Sequence, residues 1–460
     1  MSEKAITNKM GVQPIGGLIL KMGVPMILSM MLQAFYNIVD SYFVSNMEGV
    51  GDAAVNALTL AFPIQALMVA IGIGTGVGVN SLLSRYLGMG DKEKASRIAG
   101  NAIFLSICTY ILFLIFGLFF VDAYISSQTA DPLIREMGNS YLSICCIYSF
   151  GSVIYMIYEK LIQGTGKTVL STIAQISGAL TNIVLDPIMI FGLLGCPEMG
   201  IEGAAIATVI GQVVSLILGM IFHHTKNKEI DTSFAYLLPD RRIIADIYRV
   251  GVPAIIMQAL MSVMTYCVNI IFVRISGSVV TAYGIYFKIQ QFVFFAAFGL
   301  NNAIIPIVAF NYGMKDKDRI KRAIRCGMIY NAVIMLIGAV LLQLFGDHII
   351  GLFDVSAEVQ ALSMRAIHII TFGYVFAGVN VIFQGVFQAL GEGFKSLIIS
   401  SVRLLIVVIP LAAFLTTLPG AENFVWIAFP IAEACGLVVS VIFMIRTSKR
   451  KIAQLGDRHR

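Results

Sequence analysis

Apolar runs of about twenty residues or more recur along the whole chain, and they leave it very few ways to fold. They fall at roughly 16–44, 54–84, 98–121, 137–158, 169–194, 203–222, 250–273, 281–311, 326–345, 366–389, 397–418 and 425–445. A helix of about 20 apolar residues crosses a hydrocarbon core of about 30 Å. Backbone polar groups inside hydrocarbon must be satisfied within the segment itself, so such runs become helices. Many exceed the minimum and carry Gly or Pro, which predicts tilts and kinks. The composition excludes a soluble alternative. Only 13% of the residues are charged and 58% are apolar, where a soluble chain carries about 25% charged residues. Secreted, disordered, collagen-like and nucleic-acid-binding classes drop out together. The fold class is an all-α membrane protein whose partner is the lipid bilayer, with no nucleic acid and no protein partner implied.

The formal charge of +6 resides in short basic clusters between the runs. With the N-terminus cytoplasmic, 27 of the 32 Lys and Arg fall on the cytoplasmic side, and only Arg135, Arg274 and Arg365 on the other, while Lys288 and Arg403 lie within spans. The positive-inside rule then predicts an even number of spans with both termini cytoplasmic, in agreement with twelve transmembrane helices in the cell membrane. The first fifteen residues are polar and the first run is too long for a cleavable leader, so the first span is expected to stay. Seven cysteines without a C-x-x-C spacing read as core hydrophobes, and five histidines make no metal-ligand spacing. Neither a metal centre nor a cofactor is expected.

One six-span unit is used twice. Gly23-Val24-Pro25 opens the first span and Gly251-Val252-Pro253 the seventh. Gly88-Met89-Gly90-Asp91-Lys92 follows the second, and Gly313-Met314-Lys315-Asp316-Lys317 the eighth. Gln163-Gly164-Thr165-Gly166 is echoed by Gln388 with Gly391 and Gly393. An even repeat enters the membrane twice from the same face, which relates the halves by an axis along the membrane normal. The expected organisation is an N-lobe at 1–222, a cytoplasmic linker at 223–249 and a C-lobe with a basic tail at 250–460.

Carboxylates within spans are costly, by roughly 2.5–3.5 kcal/mol each on an insertion scale, and they face the protein interior or a water-filled cavity. Asp40, Asp186 and Glu433 are the deep ones. Gln33, Tyr36, Asn37 and Asp40 share a helix face by their spacing, as do Gln175, Asn182 and Asp186. Pro187 removes the helical partner of the Ile183 carbonyl. These oxygens suit a small alkali cation such as Na⁺, or a carboxyl that gains and loses a proton. The alternatives are interhelical hydrogen bonding in the first span and a proline kink with a local Asn–Asp bond in the fifth. In the second half Asp40 corresponds to Val268 or Asn269, and Asp186-Pro187 to Ile409-Pro410. The proline is kept and the carboxylate is not, which favours a coupling role over a structural one. Glu433 pairs with Lys288 or Arg403, or forms a second protonatable or substrate-attracting site; the sequence leaves this open. Gly164-Thr165-Gly166-Lys167-Thr168 resembles the end of a phosphate loop, but Leu161 stands where a Walker A glycine is required. No nucleophile–base motif appears, and the chain does not read as an enzyme.

Tyr36-Asn37-Ile38-Val39-Asp40, Asn182-Ile183-Val184-Leu185-Asp186-Pro187, Gly203-Ala204-Ala205-Ile206-Ala207-Thr208 and the stretch from Pro306 to Asn311-Tyr312-Gly313, in this order and spacing, resemble the multidrug and toxic compound extrusion (MATE) family. Tyr286-Phe287-Lys288-Ile289-Gln290 is most similar to its MepA-like bacterial branch. The resemblance implies two pseudo-symmetric six-helix lobes around a central cavity and alternating access. It further implies export of cationic or amphipathic drugs or metabolites in exchange for H⁺ or Na⁺. Asp40, Asn37, Asn182 and Asp186 would bind the coupling ion, with Thr208 as a further oxygen. One subgroup adds carboxylates in the seventh and tenth spans, which this chain lacks. Aromatic, methionine and amide side chains at Gln33, Phe35, Tyr36, Met257, Gln258, Tyr283, Tyr286, Asn380 and Gln384 are candidates for contact with organic cations. The alternative function is a lipid-linked saccharide flippase of the same architecture, for which a basic cavity is the discriminator.

Overall fold

The structure, a computed structural model, describes residues 8–353 and 355–455, without the side chains of Asn37 and Phe234. Lys4, Arg458 and Arg460, counted above as cytoplasmic, lie outside the described residues. Among those described, eleven helices are long and apolar enough to cross a bilayer. They are α1 (Ile15–Ser45), α2 (Gly51–Met89), α3 (Lys92–Phe119), α5 (Thr168–Ile190), α6 (Gly200–Lys226), α7 (Arg241–Phe272), α8 (Gly277–Gly313), α9 (Lys317–Gly351), α10 (Ala357–Ala389), α11 (Gly393–Leu415) and α12 (Ala421–Ile452). The twelfth span, α4, is the pair Pro132–Ile147 and Phe150–Gly164, bent by 43°. Each apolar run of the sequence thus corresponds to one span. The outward faces invert a soluble protein: Leu112, Phe119, Leu344 and Phe414 stand exposed, as lipid-facing side chains do.

The repeated turn after the second and eighth spans has one mechanism. Asp91 caps α3 by accepting from the Lys94 amide, and Asp316 caps α9 by accepting from the Arg319 amide. The residue before each cap is left-handed, Gly90 at φ +77° and Lys315 at φ +58°. A glycine takes that conformation without cost, whereas Lys315 takes it against its Cβ.

Two compact units are present. One comprises Leu28–Leu87 and Asp91–Gly251, the other the residues through Ile27, Gly88–Gly90 and those from Val252 onward. α1 therefore passes between units just after Pro25 and α7 beside Pro253, the two prolines of the repeated motif. The stretch after α6 is stapled to α3 within its own unit. The Ser96 hydroxyl accepts from the Asp231 amide at 2.8 Å, and Asn101 accepts from the Asp240 amide at 2.7 Å.

Small residues set the packing that positions the site. α5 and α6 approach closely at Gly178, Gly203 and Gly211, as small-residue helix pairs do in membranes. A Cβ on Gly211 would lie 2.6 Å from the Gly178 carbonyl oxygen and 3.1 Å from Cβ of Asn182. The core of the second unit is instead aromatic. Phe272 meets Trp426 edge-on at 5.3 Å, and Tyr283 stacks on Phe429 at 5.6 Å.

Candidate functional site

Asn182 and Asp186 are one helical turn apart on α5, buried against α6. A carboxylate only accepts hydrogen bonds, so the Asn182 amide must turn its nitrogen towards Asp186. Nδ2 donates to Asp186 Oδ1 at 3.0 Å and reaches Thr208 Oγ1 of α6 at 3.3 Å. This fixes the amide with its oxygen free. Asn182 Oδ1, Asp186 Oδ2 and, on α1, Asp40 Oδ1 are buried acceptors without a hydrogen-bond donor. Leaving a buried polar atom unsatisfied costs about 1–3 kcal/mol, more for a charged group.

Asp40 and Asp186 are both buried in the same unit. Two carboxylates within reach of one another repel in a low dielectric. Buried acceptor oxygens without donors are groups of the kind that take up a proton or a hard cation. A few groups of the same unit complete the surroundings. Gln33 accepts from Gln175 at 3.1 Å, and Gln175 in turn accepts from Ser29, which ties α1 to α5. Asn37 occupies the same stripe of α1, and its side chain lies outside the described residues. Among the described residues no group of three or more His, Cys, Asp and Glu gathers as a metal site.

The MatE family model matches residues 25–188 and 253–414, once in each half of the repeat. The chain belongs to this family of MATE transporters. A curated relative, the multidrug export protein MepA of Staphylococcus haemolyticus (strain JCSC1435), is 26% identical over 423 residues, covering 92% of each chain. MepA of Staphylococcus aureus (strain MRSA252) is 23% identical over 434 residues, 94% of each. An outward-facing structure of a multidrug resistance MATE family transporter of the MOP superfamily superposes with a TM-score of 0.89 at 25% identity, covering 97% of this chain and 98% of that one. The expected family and its twelve-helix, two-lobe fold are thereby established.

In this MATE chain the second lobe treats its partly buried acid differently. Glu433 of α12 pairs with Arg403 of α11, not with Lys288. Arg403 Nε donates to Oε2 and Nη2 to Oε1, both at 2.7 Å. Asn380 of α10 adds a bond to Oε2 at 3.1 Å and accepts from Ser440 at 2.8 Å. Lys288 is exposed on α8.

The side chains expected to touch substrate separate by environment. Phe35 and Gln258 are exposed, and Gln33, Tyr36 and Met257 are half-buried, with Met257 Sδ 4.0 Å from the Gln388 amide nitrogen. Tyr283, Tyr286, Asn380 and Gln384 are buried inside the second unit. Tyr286 meets the Tyr374 hydroxyl at 3.2 Å, and Asn380 is committed to Glu433. Sequence reasoning did not single out Tyr141 and Cys145 of α4, both buried in the same unit, where the Tyr141 hydroxyl accepts from Gln65 at 3.4 Å. Their i, i+4 spacing was the available signal.

Proposed function

We propose that the protein is an antiporter that exports cationic or amphipathic small molecules by alternating access, driven by H⁺ or Na⁺ bound among Asp40, Asn182, Asp186 and Thr208. The observation that carries this reading is the set of three unpartnered oxygens on Asp40, Asn182 and Asp186. Neutralising those carboxylates by an ion favours one packing of α1 and α5 over another, and substrate need only differ in affinity between the same two states. The multidrug export proteins among its relatives support small-molecule cargo. Arg403 is already committed to Glu433, which weighs against a basic, anion-binding cavity. Half-buried Tyr36 and exposed Phe35 offer aromatic faces for organic cations.

Inverted vesicles holding the purified protein, given a fluorescent organic cation, test this directly. Either a pH gradient or a Na⁺ gradient, imposed separately, is expected to drive accumulation. If neither does, or if an anionic saccharide lipid moves and no organic cation does, the reading is wrong.

The same reading places both termini in the cytoplasm. Cys196, partly exposed in the loop between α5 and α6, then faces outward. An impermeant thiol reagent applied to intact cells is expected to label it, with Cys196→Ser as the control. A cysteine at position 92 is expected to be protected, and the reverse pattern would invert the orientation.

A further inference from the structure

The two lobes can be compared residue by residue at their sixth spans. Ile210-Gly211-Gln212-Val213-Val214-Ser215 in α6 aligns without gaps on Cys435-Gly436-Leu437-Val438-Val439-Ser440 in α12, at an offset of 225 residues. The same offset carries Thr208 onto Glu433. In α5 and α11 the shared proline sets the offset at 223, which carries Asn182 onto Leu405, two residues from Arg403. Residues Val402–Ile406 form a π-helical turn, and such turns re-aim side chains within a span.

The packing agrees with the alignment. A Cβ on Gly211 would meet Cβ of Asn182 at 3.1 Å, and one on Gly436 would meet Cγ of Arg403 at 2.3 Å. The equivalent serines also make one inward bond each, Ser215 to the Ala174 carbonyl at 3.1 Å and Ser440 to Asn380 at 2.8 Å. Each lobe therefore has a buried polar site where its fifth span crosses its sixth. They differ in occupancy. In the first lobe Asp40, Asn182 and Asp186 keep acceptor oxygens without donors, whereas in the second both oxygens of Glu433 are taken.

We propose that the Arg403 guanidinium is a tethered cation filling, in the second lobe, the place that the exchanged ion takes in the first, so that Glu433 is a cation site closed by its own chain. This rests on the first-lobe oxygens being the coupling site. The consequence is an ion count: the parent binds coupling ions in one lobe only, and removal of the tethered charge opens a second site.

The test is cation binding by the purified full-length protein, measured as ²²Na⁺ bound and as H⁺ taken up. Arg403→Met, which keeps an apolar stem, is expected to bind one more equivalent of Na⁺ or H⁺ per chain than the parent. Arg403→Met/Glu433→Gln is expected to return to the parent count, because the pair is neutral with or without its charges. Asp186→Asn, measured in parallel, is expected to bind less than the parent, and Arg403→Met/Asp186→Asn to keep the added equivalent. If Asp186→Asn binds as the parent does, the first-lobe reading fails on its own. If Arg403→Met binds as the parent does, the tethered-cation proposal is overturned. It is equally overturned if Arg403→Met does not fold in Na⁺ at mildly acidic pH, whether or not the double variant folds, because an acid that recruits neither ion nor proton is not a site.

Discussion

Asparagine in place of Asp186 is expected to reduce ion-driven uptake to background while the protein still inserts and folds. The substitution keeps the shape and the bond from Asn182, but it removes the charge that an ion neutralises. A ligand shifts a conformational equilibrium only by its differential affinity for the two states, and an uncharged site has little left to offer H⁺ or Na⁺. Folding should be unharmed, since a carboxylate within a span costs roughly 2.5–3.5 kcal/mol that the amide avoids in large part. Asp40→Asn should behave the same way, because its Oδ1 is another of the unpartnered oxygens. Thr208→Ala should do less, as Thr208 contributes one bond of 3.3 Å. Exchange of labelled substrate across vesicles without a gradient separates coupling from binding: it should persist in both Asn variants. Full gradient-driven transport in both would make the acids structural and end the coupling assignment.

What the sequence disclosed about this site follows from the cost of burying charge. Asp40 and Asp186 interrupt apolar runs, and a carboxylate in such a run demands a physical reason whatever the helices around it do. The spans were legible on the same physics, although the helices outrun the apolar segments. α9 covers Lys317–Gly351, where the apolar run is only 326–345, because a helix continues past the hydrocarbon into water without needing apolar side chains there. The bend of α4 had no such mark. It falls at Tyr148-Ser149 without a proline.

The second lobe was the harder case. Aromatic and amide residues at Tyr283, Tyr286, Asn380 and Gln384 have the composition of a binding surface, yet the structure buries them within the unit. Asn380 is held by Glu433 and Ser440, partners on another helix 53 and 60 residues away. Helix rotation decides such pairings, and one-dimensional spacing does not supply it across spans. The choice between Lys288 and Arg403 as the partner of Glu433 was open for that reason. The repeat offered a way through, since the aligned Gly211 and Gly436 mark where the fifth and sixth spans of each lobe touch.

Replacing Glu392 by Gln is expected to lower the thermal stability of the second lobe by a few degrees at neutral pH and by progressively less in acid. Glu392 lies between α10 and α11 and gathers the basic end of α12. Its oxygens meet Lys395 Nζ at 2.6 Å, Thr447 Oγ1 at 2.8 Å, Lys451 Nζ at 3.6 Å and the guanidinium of Arg450. Burial opposes its charge, but the bonds from Lys395 and Thr447 and the charges of Lys451 and Lys395 outweigh burial and hold the carboxyl down to about 2 from an ordinary 4.5. A carboxyl depressed by folding stabilises the native state fully above its unfolded value and loses that contribution as pH falls through the folded one. The window therefore runs from about pH 4.5 down to about 2. At neutral pH the shift corresponds to at most ~3 kcal/mol, since one pKa unit is about 1.4 kcal/mol. Glu392→Lys should be worse than Glu392→Gln, as it adds a fourth positive charge to Lys395, Arg450 and Lys451. Melting curves of parent and variant in detergent, taken between pH 7 and pH 3, check the sign. A gap that stays constant or widens in acid would show that the carboxylate's charge is not what holds α12 to this loop.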